Sequence, residues 1–463
     1  MYMGKGAALL CKDQGNIISD TDQEVKKMMA TKLSLILRKA RGDKNMKFNN
    51  LMHLVNEQNL RECFGRLKKN KAPGVDKVTL EEYDENLTKN VRGLVTRMKQ
   101  MGYRPQPVRG VKIPKEKKGD FRKLGIPTIE DKLVQMAFAR ILNSIWEADF
   151  ISFSYGFRPG LGPQRALARL NKVLMRQPVG YVIDADIQGY FDNVNHEKVM
   201  DCLKQRINDK KFLRYIARML KSGIVEGRNY YATEKGTPQG GIVSPIIANV
   251  YLHFLLDRWF IYEILPNCKG KADMIRYCDD FLICVEGKED AEYILSQLKQ
   301  RLEKGKLKLS EEKTKTVEFR CPPKNGSSNK GRKSTTFEFL GFTHYWEKSR
   351  KGFYIVGRCT GNKRFRKAIG KVKDFLKTNR NRMPLKDIWR RISQKLHGHY
   401  AYYGISGNYM KIKLFRHQVE RLLFKWLNRR SQRKSFNWEK YSKYKQRFPL
   451  PKPKIHHKLY QAS

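Results

Sequence analysis

Hydrophobic positions follow two periods along this chain. Tyr181-Val182-Ile183-Asp184-Ala185-Asp186-Ile187 alternates, so a predicted strand carries Ile183, Ala185 and Ile187 on one face and Val182, Asp184 and Asp186 on the other. Met274 and Ile275 precede the pair Asp279-Asp280, and Phe281 to Val285 follow it, the pattern of a hairpin with two carboxylates at its turn. Tyr103 to Pro127 reads as strand, glycine turn, strand; Leu307 to Thr314 as a strand entering a turn; Phe337 to Phe342 as one short strand. Helical spacing covers Leu51 to Leu67, Glu81 to Met101, Glu130 to Trp146, Leu167 to Met175 and Asp290 to Lys304. The longest apolar stretch, Ile242 to Phe260, is broken by Ser244, Pro245, Asn249, His253 and Asp257, so it is expected as a buried helix and not a membrane span. Near the end, Ile388, Ile392, Leu396, Tyr400 and Tyr403 form one helical stripe, and Phe415, Val419, Leu422 and Trp426 another.

Glycine and proline mark the loops: Asn70 to Asp76, Ser154 to Gly160, Lys235 to Gly241 and Pro322 to Lys333. Residues 1–50 read as a polar, basic extension with a helical look from Asp22 to Lys39.

Charge then narrows the function. Lys and Arg number 95 against 45 Asp and Glu in 463 residues, a net charge of +50. Such an excess repels itself and is best explained by a polyanionic partner, nucleic acid before an acidic membrane surface. From Arg350 onward the only acids are Asp374, Asp387, Glu420 and Glu439, so the outer faces of the two stripes carry cations suited to a phosphate backbone. The tail, with Arg429, Arg430, Arg433 and Trp438, mixes cations and aromatics that either stack on bases or pack on the helices. Eight scattered cysteines without a CxxC pair argue against a zinc module and suit a reducing, cytoplasmic setting; Ala7 to Leu10 is too short for a signal peptide.

Three stretches carry the chemistry. Alone, the Asp279-Asp280 turn is more simply a solvated one, and the strand ending at Asp186 has an edge-strand reading with solvated acids. Together they supply carboxylates from two places, which a two-metal phosphoryl-transfer site requires, with Mg²⁺ the natural ion for hard oxygen ligands. Lys115 as a point charge and Arg122 as a fork flank a glycine turn and can cradle phosphates, and the Gly236 to Gly241 loop lets backbone approach a ligand closely.

These stretches resemble the reverse transcriptases. Tyr277-Cys278-Asp279-Asp280 is similar to their YxDD box, and Asp186-Ile187-Gln188-Gly189-Tyr190-Phe191-Asp192 to their first catalytic motif. Gly236 to Gly241 with Ser244-Pro245 resembles the template-handling motif. Ile113-Pro114-Lys115 with Arg122 and Leu124 to Pro127 resembles the fingers motif, and Tyr155 to Gly160 the motif after it. Phe339 to Phe342 resembles the primer grip. Asn70 to Asp76, and Gly398 with Tyr402-Tyr403, point to group II intron reverse transcriptase/maturases, bacterial in kind.

The resemblance implies an α+β right hand, with fingers and palm built of an antiparallel sheet plus helices and an α-helical thumb. The implied divisions are 1–50 extension, 51–180 fingers, 181–345 palm, 346–430 thumb and 431–463 basic tail. It implies two Mg²⁺, with Mn²⁺ as a substitute, on Asp186, Asp279, Asp280 and the backbone of Ile187; Lys313 would protonate pyrophosphate. The dNTP would meet Lys115, Arg122, Gln239, Gly240, Phe191 and Tyr190, with Tyr190 under the deoxyribose. Nucleic acid would meet Arg158, Gly341, Lys395, Tyr403, Lys425, Arg429, Arg430 and Arg433. The partners implied are structured intron RNA, an RNA template, a DNA target or primer and dNTPs, with no membrane.

The chain departs from the family pattern in places. Cys278 fills a position often held by Ala, and is expected to preserve activity while tuning fidelity or thiol sensitivity. Gly110 stands where many relatives carry a second arginine, and Leu161-Gly162 replaces a common Arg-Ser. No Cys-rich HNH-type segment follows the thumb region in this sequence, so priming from an existing nick or nascent strand is expected. Two rival readings are a host-adopted polymerase in defence or repair and a maturase acting only as an RNA-binding splicing factor.

Overall fold

In the computed structural model, residues 31–114, 119, 121–323, 335–430 and 437–459 are described. Their strands are β1 (Val108–Pro114), β2 (Phe121–Ile126), β3 (Tyr181–Ala185), β4 (Ile224–Glu226), β5 (Asn229–Tyr231), β6 (Ala272–Tyr277), β7 (Asp280–Val285), β8 (Lys315–Glu318), β9 (Phe337–Phe339), β10 (Phe342–Lys348) and β11 (Tyr354–Thr360). They pair in three sheets, ordered β2-β1-β4-β5, β6-β7-β3-β8 and β11-β10-β9. Helices fill most of the remainder, so the class is α+β. Among the described residues no helix is long and apolar enough to cross a membrane.

The chain forms two compact units. The first holds the described residues up to Ala166 together with Ile183–Ile283 and Lys288–Lys315; the second holds Leu167–Val182, Cys284–Gly287 and the described residues from Thr316 on.

In the first unit, β1 and β2 pair antiparallel with Lys112 opposite Lys123, and β1 adds β4 in parallel through Val108 and Ile224. The helix Ile129–Trp146 follows directly because Thr128 caps it, accepting from Asp131 N at 3.1 Å. Its long buried face receives the helix Thr31–Gly42, whose Leu33, Leu37 and Ala40 are buried. Arg206 reaches that helix end, donating to Ala40 O at 2.8 Å, so residues 31–50 belong to this unit's core and are not an appendage. The long apolar stretch is helical as its pattern implies: Ser244–Leu252 is α-helix, and His253–Asp257 and Phe260–Ile264 widen into π-turns.

In the second unit, three helices, Asn362–Asn379, Leu385–Tyr403 and Tyr409–Leu427, close a core around the two apolar stripes. Leu422 and Tyr403 lie at its margin. The segment Phe337 to Phe342 is not one strand. Leu340 and Gly341 have φ of 49° and 82°, the double positive φ of a tight hairpin turn, and they separate β9 from β10. Tyr402 donates to Leu340 O at 3.0 Å and holds the turn.

The described tail packs on these helices. Tyr441 and Leu450 are buried at 0% and 1% exposure, and Trp389 donates to Phe448 O at 3.0 Å. Of the two sequence readings for the tail aromatics, packing holds for Tyr441, whereas Trp438 stacks on Phe424 and stays half exposed. Tyr441→Ala is therefore expected to cost about 3–5 kcal/mol of stability, as large aromatic truncations do. A thermal or urea melt measures this, and a loss below about 1 kcal/mol would mean the tail is only loosely applied.

Candidate active site

The acidic hairpin is built from beneath. A two-residue link, Cys278-Asp279, joins β6 to β7 and forces them antiparallel. Cys278 has φ +62°, the positive first-position angle that twist-matched tight hairpins require. Gly156 lies directly against it: a Cβ on Gly156 would come within 2.3 Å of Cys278 N and Sγ. Buried Arg276 fastens the turn from below. Its guanidinium grips Asp257 with two bonds of 2.6 and 2.5 Å, and a third nitrogen donates to Cys278 O and Asn249 Oδ1, both at 3.0 Å. Asn249 in turn donates to Gly156 O at 2.5 Å. Burial pushes the Asp257 carboxyl up, and Arg276 opposes that shift. Burial first, then nearby cations, press His253 beside it down to about 3, so it stays neutral.

Asp186 arrives from the end of β3. Ile187 bridges Leu309 antiparallel, through Gln188 N to Lys308 O at 2.9 Å and Ser310 N to Asp186 O at 2.8 Å. In a pair of this kind the middle residue turns its own carbonyl away from the partner strand, so Ile187 O is not spent on it. The predicted strand at Leu307 to Thr314 is thus present as a short pairing, with Lys313 just beyond it. Lys313 donates to Asp186 Oδ2 at 2.8 Å. Burial raises the Asp279 carboxyl, and the Asp186 charge raises it further; Arg122 and Arg276 pull it down. Asp186, Asp279 and Arg122 therefore share one electrostatic neighbourhood.

Among the described residues no three His, Cys, Asp or Glu side chains gather closely enough to hold a metal ion. Of the three expected aspartates, Asp280 is exposed at the start of β7. Asp186, Asp279 and the Ile187 carbonyl are all hard oxygens. That set fits Mg²⁺, which keeps several waters and takes one or two carboxylates plus substrate phosphates.

The glycine loop closes the other side. Thr237 N donates to Phe191 O at 2.8 Å and Gly236 N to Val194 O at 2.7 Å, strapping the loop to the turn after β3. Gly125 N on β2 donates to Gln239 O at 2.6 Å, and the Gln239 amide donates to Asp192 at 3.1 Å. Gly240, at φ +111°, has no room for a Cβ, which would meet Gly125 O at 2.4 Å. Gly110 is similarly committed: a Cβ there would lie 2.7 Å from Glu226, which pairs with Lys112 and Lys123.

Two expected contacts are corrected. Tyr190 is 2% exposed and donates its hydroxyl to Ala248 O at 2.6 Å, so it cannot touch a sugar; the half-exposed neighbour is Phe191, edge-on to Phe157. Arg158 is buried against Glu147 at 2.6 Å and donates to Ile151 O and Ser154 O, so it is spent on the fold and not on nucleic acid. Lys115 and Arg433 lie outside the described residues. In the second unit, Lys395, Lys425, Arg429 and Arg430 are exposed, whereas Tyr403 is half-buried with its hydroxyl 3.2 Å from where a Gly341 side chain would begin. Asp257, Asn249 and Arg276 are site residues the sequence reading does not name. The signal for Asn249 and Asp257 is the polar interruption of an otherwise apolar helix.

A family described as reverse transcriptase (RNA-dependent DNA polymerase) matches residues 113–344, half of the chain. The chain belongs to the reverse transcriptase family. Group II intron-encoded protein LtrA of Lactococcus lactis subsp. cremoris is 32% identical over 311 residues, covering 54% of this reverse transcriptase and 51% of LtrA. Protein YkfC of Escherichia coli is 32% identical over 274 residues, 53% of this chain and 72% of YkfC. The putative COX1/OXI3 intron 2 protein of Saccharomyces cerevisiae is 33% identical over 197 residues, 42% and 22% of the two chains. The reverse transcriptase thus spans about half the length of LtrA, and its relatives place it with group II intron reverse transcriptases and maturases.

Two outcomes are expected from the geometry. A carboxyl whose folded value is raised costs stability as pH rises through that value, because the native state holds the proton more tightly than the unfolded chain. Asp279→Asn should therefore melt above the parent at about pH 7, the gain closing toward about pH 4; an unchanged or lower melting temperature at neutral pH would contradict the buried, repelled carboxylate. Asp257→Ala should cost about 3–5 kcal/mol by stranding Arg276, while the pair Asp257→Leu with Arg276→Met should recover much of that loss. If denaturant melts of the double variant show no recovery, the ion pair is not what the single variant disrupts.

Proposed function

We propose that this reverse transcriptase is an active RNA-directed DNA polymerase that also binds structured intron RNA to assist its splicing and mobility. The observation that carries the catalytic half is the meeting of Asp186 and Asp279, brought from two chain segments into mutual electrostatic reach with Arg122 beside them. A primer 3′-hydroxyl attacks the α-phosphate of a dNTP and pyrophosphate leaves. Asp186, Asp279 and Ile187 O would hold Mg²⁺, which when bound neutralises charge on the phosphate and lowers the hydroxyl pKa.

The chain's own residues divide the remaining work. Arg122 binds the triphosphate, with Lys115 its partner. Lys313, now paired with Asp186, is the proton donor to the leaving pyrophosphate. Phe191 takes the sugar-facing role, since it is the half-exposed ring beside buried Tyr190. Gln239 and Gly240 line the nascent pair, where only backbone and an amide fit against β2. We assign fingers to 51–180, palm to 181–345 and thumb to 346–430, divisions of function that differ from the two compact units. The cationic outer faces from Arg350 onward, including Lys395, Lys425, Arg429 and Arg430, support RNA binding by counterion release. The names of LtrA and the yeast intron protein support the intron as the RNA concerned.

Primer extension on RNA and DNA templates with dNTPs and Mg²⁺ tests this reading. Extension is expected on both, abolished in Asp279→Asn while RNA binding persists. Phe191→Ala should admit ribonucleotides and leave Tyr190 in place. Near-normal extension by Asp279→Asn, or unaltered sugar discrimination in Phe191→Ala, would refute the respective assignment.

A further inference from the structure

The widened helix after Asn249 builds a second feature on the first unit, apart from the aspartates. Phe254, Arg258 and Tyr262 are spaced four residues apart and form a column. The Arg258 guanidinium lies 5.3 Å from the Phe254 ring centre and 5.7 Å from that of Tyr262. The outer ring, Tyr262, is 66% exposed and so open to a partner. The column forms a wall shared by two adjoining cavities. One has an apolar floor of Leu255 and Trp259, with Lys198 and Lys304 on its rim. The other is polar, with Lys47 at its edge. Trp146 and His253, both buried, also line that cavity.

Arg301 donates to Phe254 O and Leu255 O of the π-turn at 3.2 and 2.8 Å. Arg301 is thereby fixed in the wall, which keeps the ridge rigid. Exposed lysines to either side and an aromatic–guanidinium stack between them match one ligand chemistry. Phosphates meet the lysines, and a base extends the stack.

We propose that the Phe254–Arg258–Tyr262 column is a docking site for single-stranded nucleic acid, distinct from the catalytic cleft, with one nucleobase stacked on Tyr262 and flanking phosphates on Lys47 and Lys304. The site rests on the reading that the chain acts on nucleic acid and adds a place where a strand is held while another is copied. Its charge suits a polyanion and its rings suit bases.

The test uses the full chain with the catalytic cleft saturated by unlabelled primer–template. Short fluorescein-labelled oligouridylate and oligodeoxyuridylate are then titrated in. Tyr262→Ala should weaken binding about 5- to 150-fold, the range for loss of one base stack, while Tyr262→Phe binds as the parent does. Lys47→Glu should weaken it further and flatten the salt dependence by about one phosphate. Primer extension should stay within about twofold in all three variants, since these side chains are exposed and have no part in the site at the aspartates. Loss in both labelled strands, or in the RNA strand alone, supports the site, the second outcome adding a ribose contact. Unchanged binding in Tyr262→Ala overturns it, as does a loss of extension in parallel with binding. A parent protein that binds the labelled strands but extends no primer refutes the polymerase reading and leaves the column standing.

Discussion

The fork of Arg276 on Asp257 is the constraint on which the acidic turn depends. A guanidinium and a carboxylate removed from water are tolerated only when nearly every donor and lone pair is used, and here one arginine serves Asp257, Asn249 and the carbonyl of Cys278 together. The same residue's backbone ties into the Phe153 to Tyr155 segment, donating to Phe153 O at 2.9 Å and accepting from Tyr155 N at 2.8 Å. The loop beneath the turn, the turn and the central helix are therefore one unit. A hydrophobic substitute could fill the volume but could not hold a carbonyl in place.

That arrangement explains a tension in the site. Asp279 is held where burial and Asp186 both disfavour its charge, and the fold accepts the cost because the surrounding network fixes the backbone independently. Lys313 relieves part of the strain at Asp186. Stability is thus supplied below the turn and withdrawn at its surface, the division expected where chemistry needs a charge the fold would not choose.

Much of this was legible in the order of residues. Alternation located β3 and the acidic hairpin, helical spacing located the stripes of the three-helix core, and Gly with Pro marked the loop at Gly236 to Gly241. What was not legible had a common cause. Tyr190 and Phe191 are adjacent aromatics, and which one faces outward depends on whether a hydroxyl finds Ala248 O, a tertiary contact that no periodicity encodes. Arg158 looked like a cation for phosphate because its partner Glu147 lies eleven residues away across a loop. Leu340-Gly341 looked like strand because leucine at positive φ is rare, yet the hairpin and Tyr402 enforce it. Asn249 and Asp257 were visible as blemishes in an apolar helix, and only the folded arrangement shows that one arginine answers both.

The contact between Gly156 and Cys278 also bears on the cysteine in the acidic turn. Gly156 packs directly against the Cys278 amide and sulfur, so a residue larger than glycine has no room opposite the turn. The thiol is buried, and burial and then the neighbouring Asp279 push its pKa far above the usual thiol value. A thiol that does not ionise is a poor target for alkylating agents and peroxide alike. The turn thus holds its sulfur buried and protonated beside the carboxylate it positions.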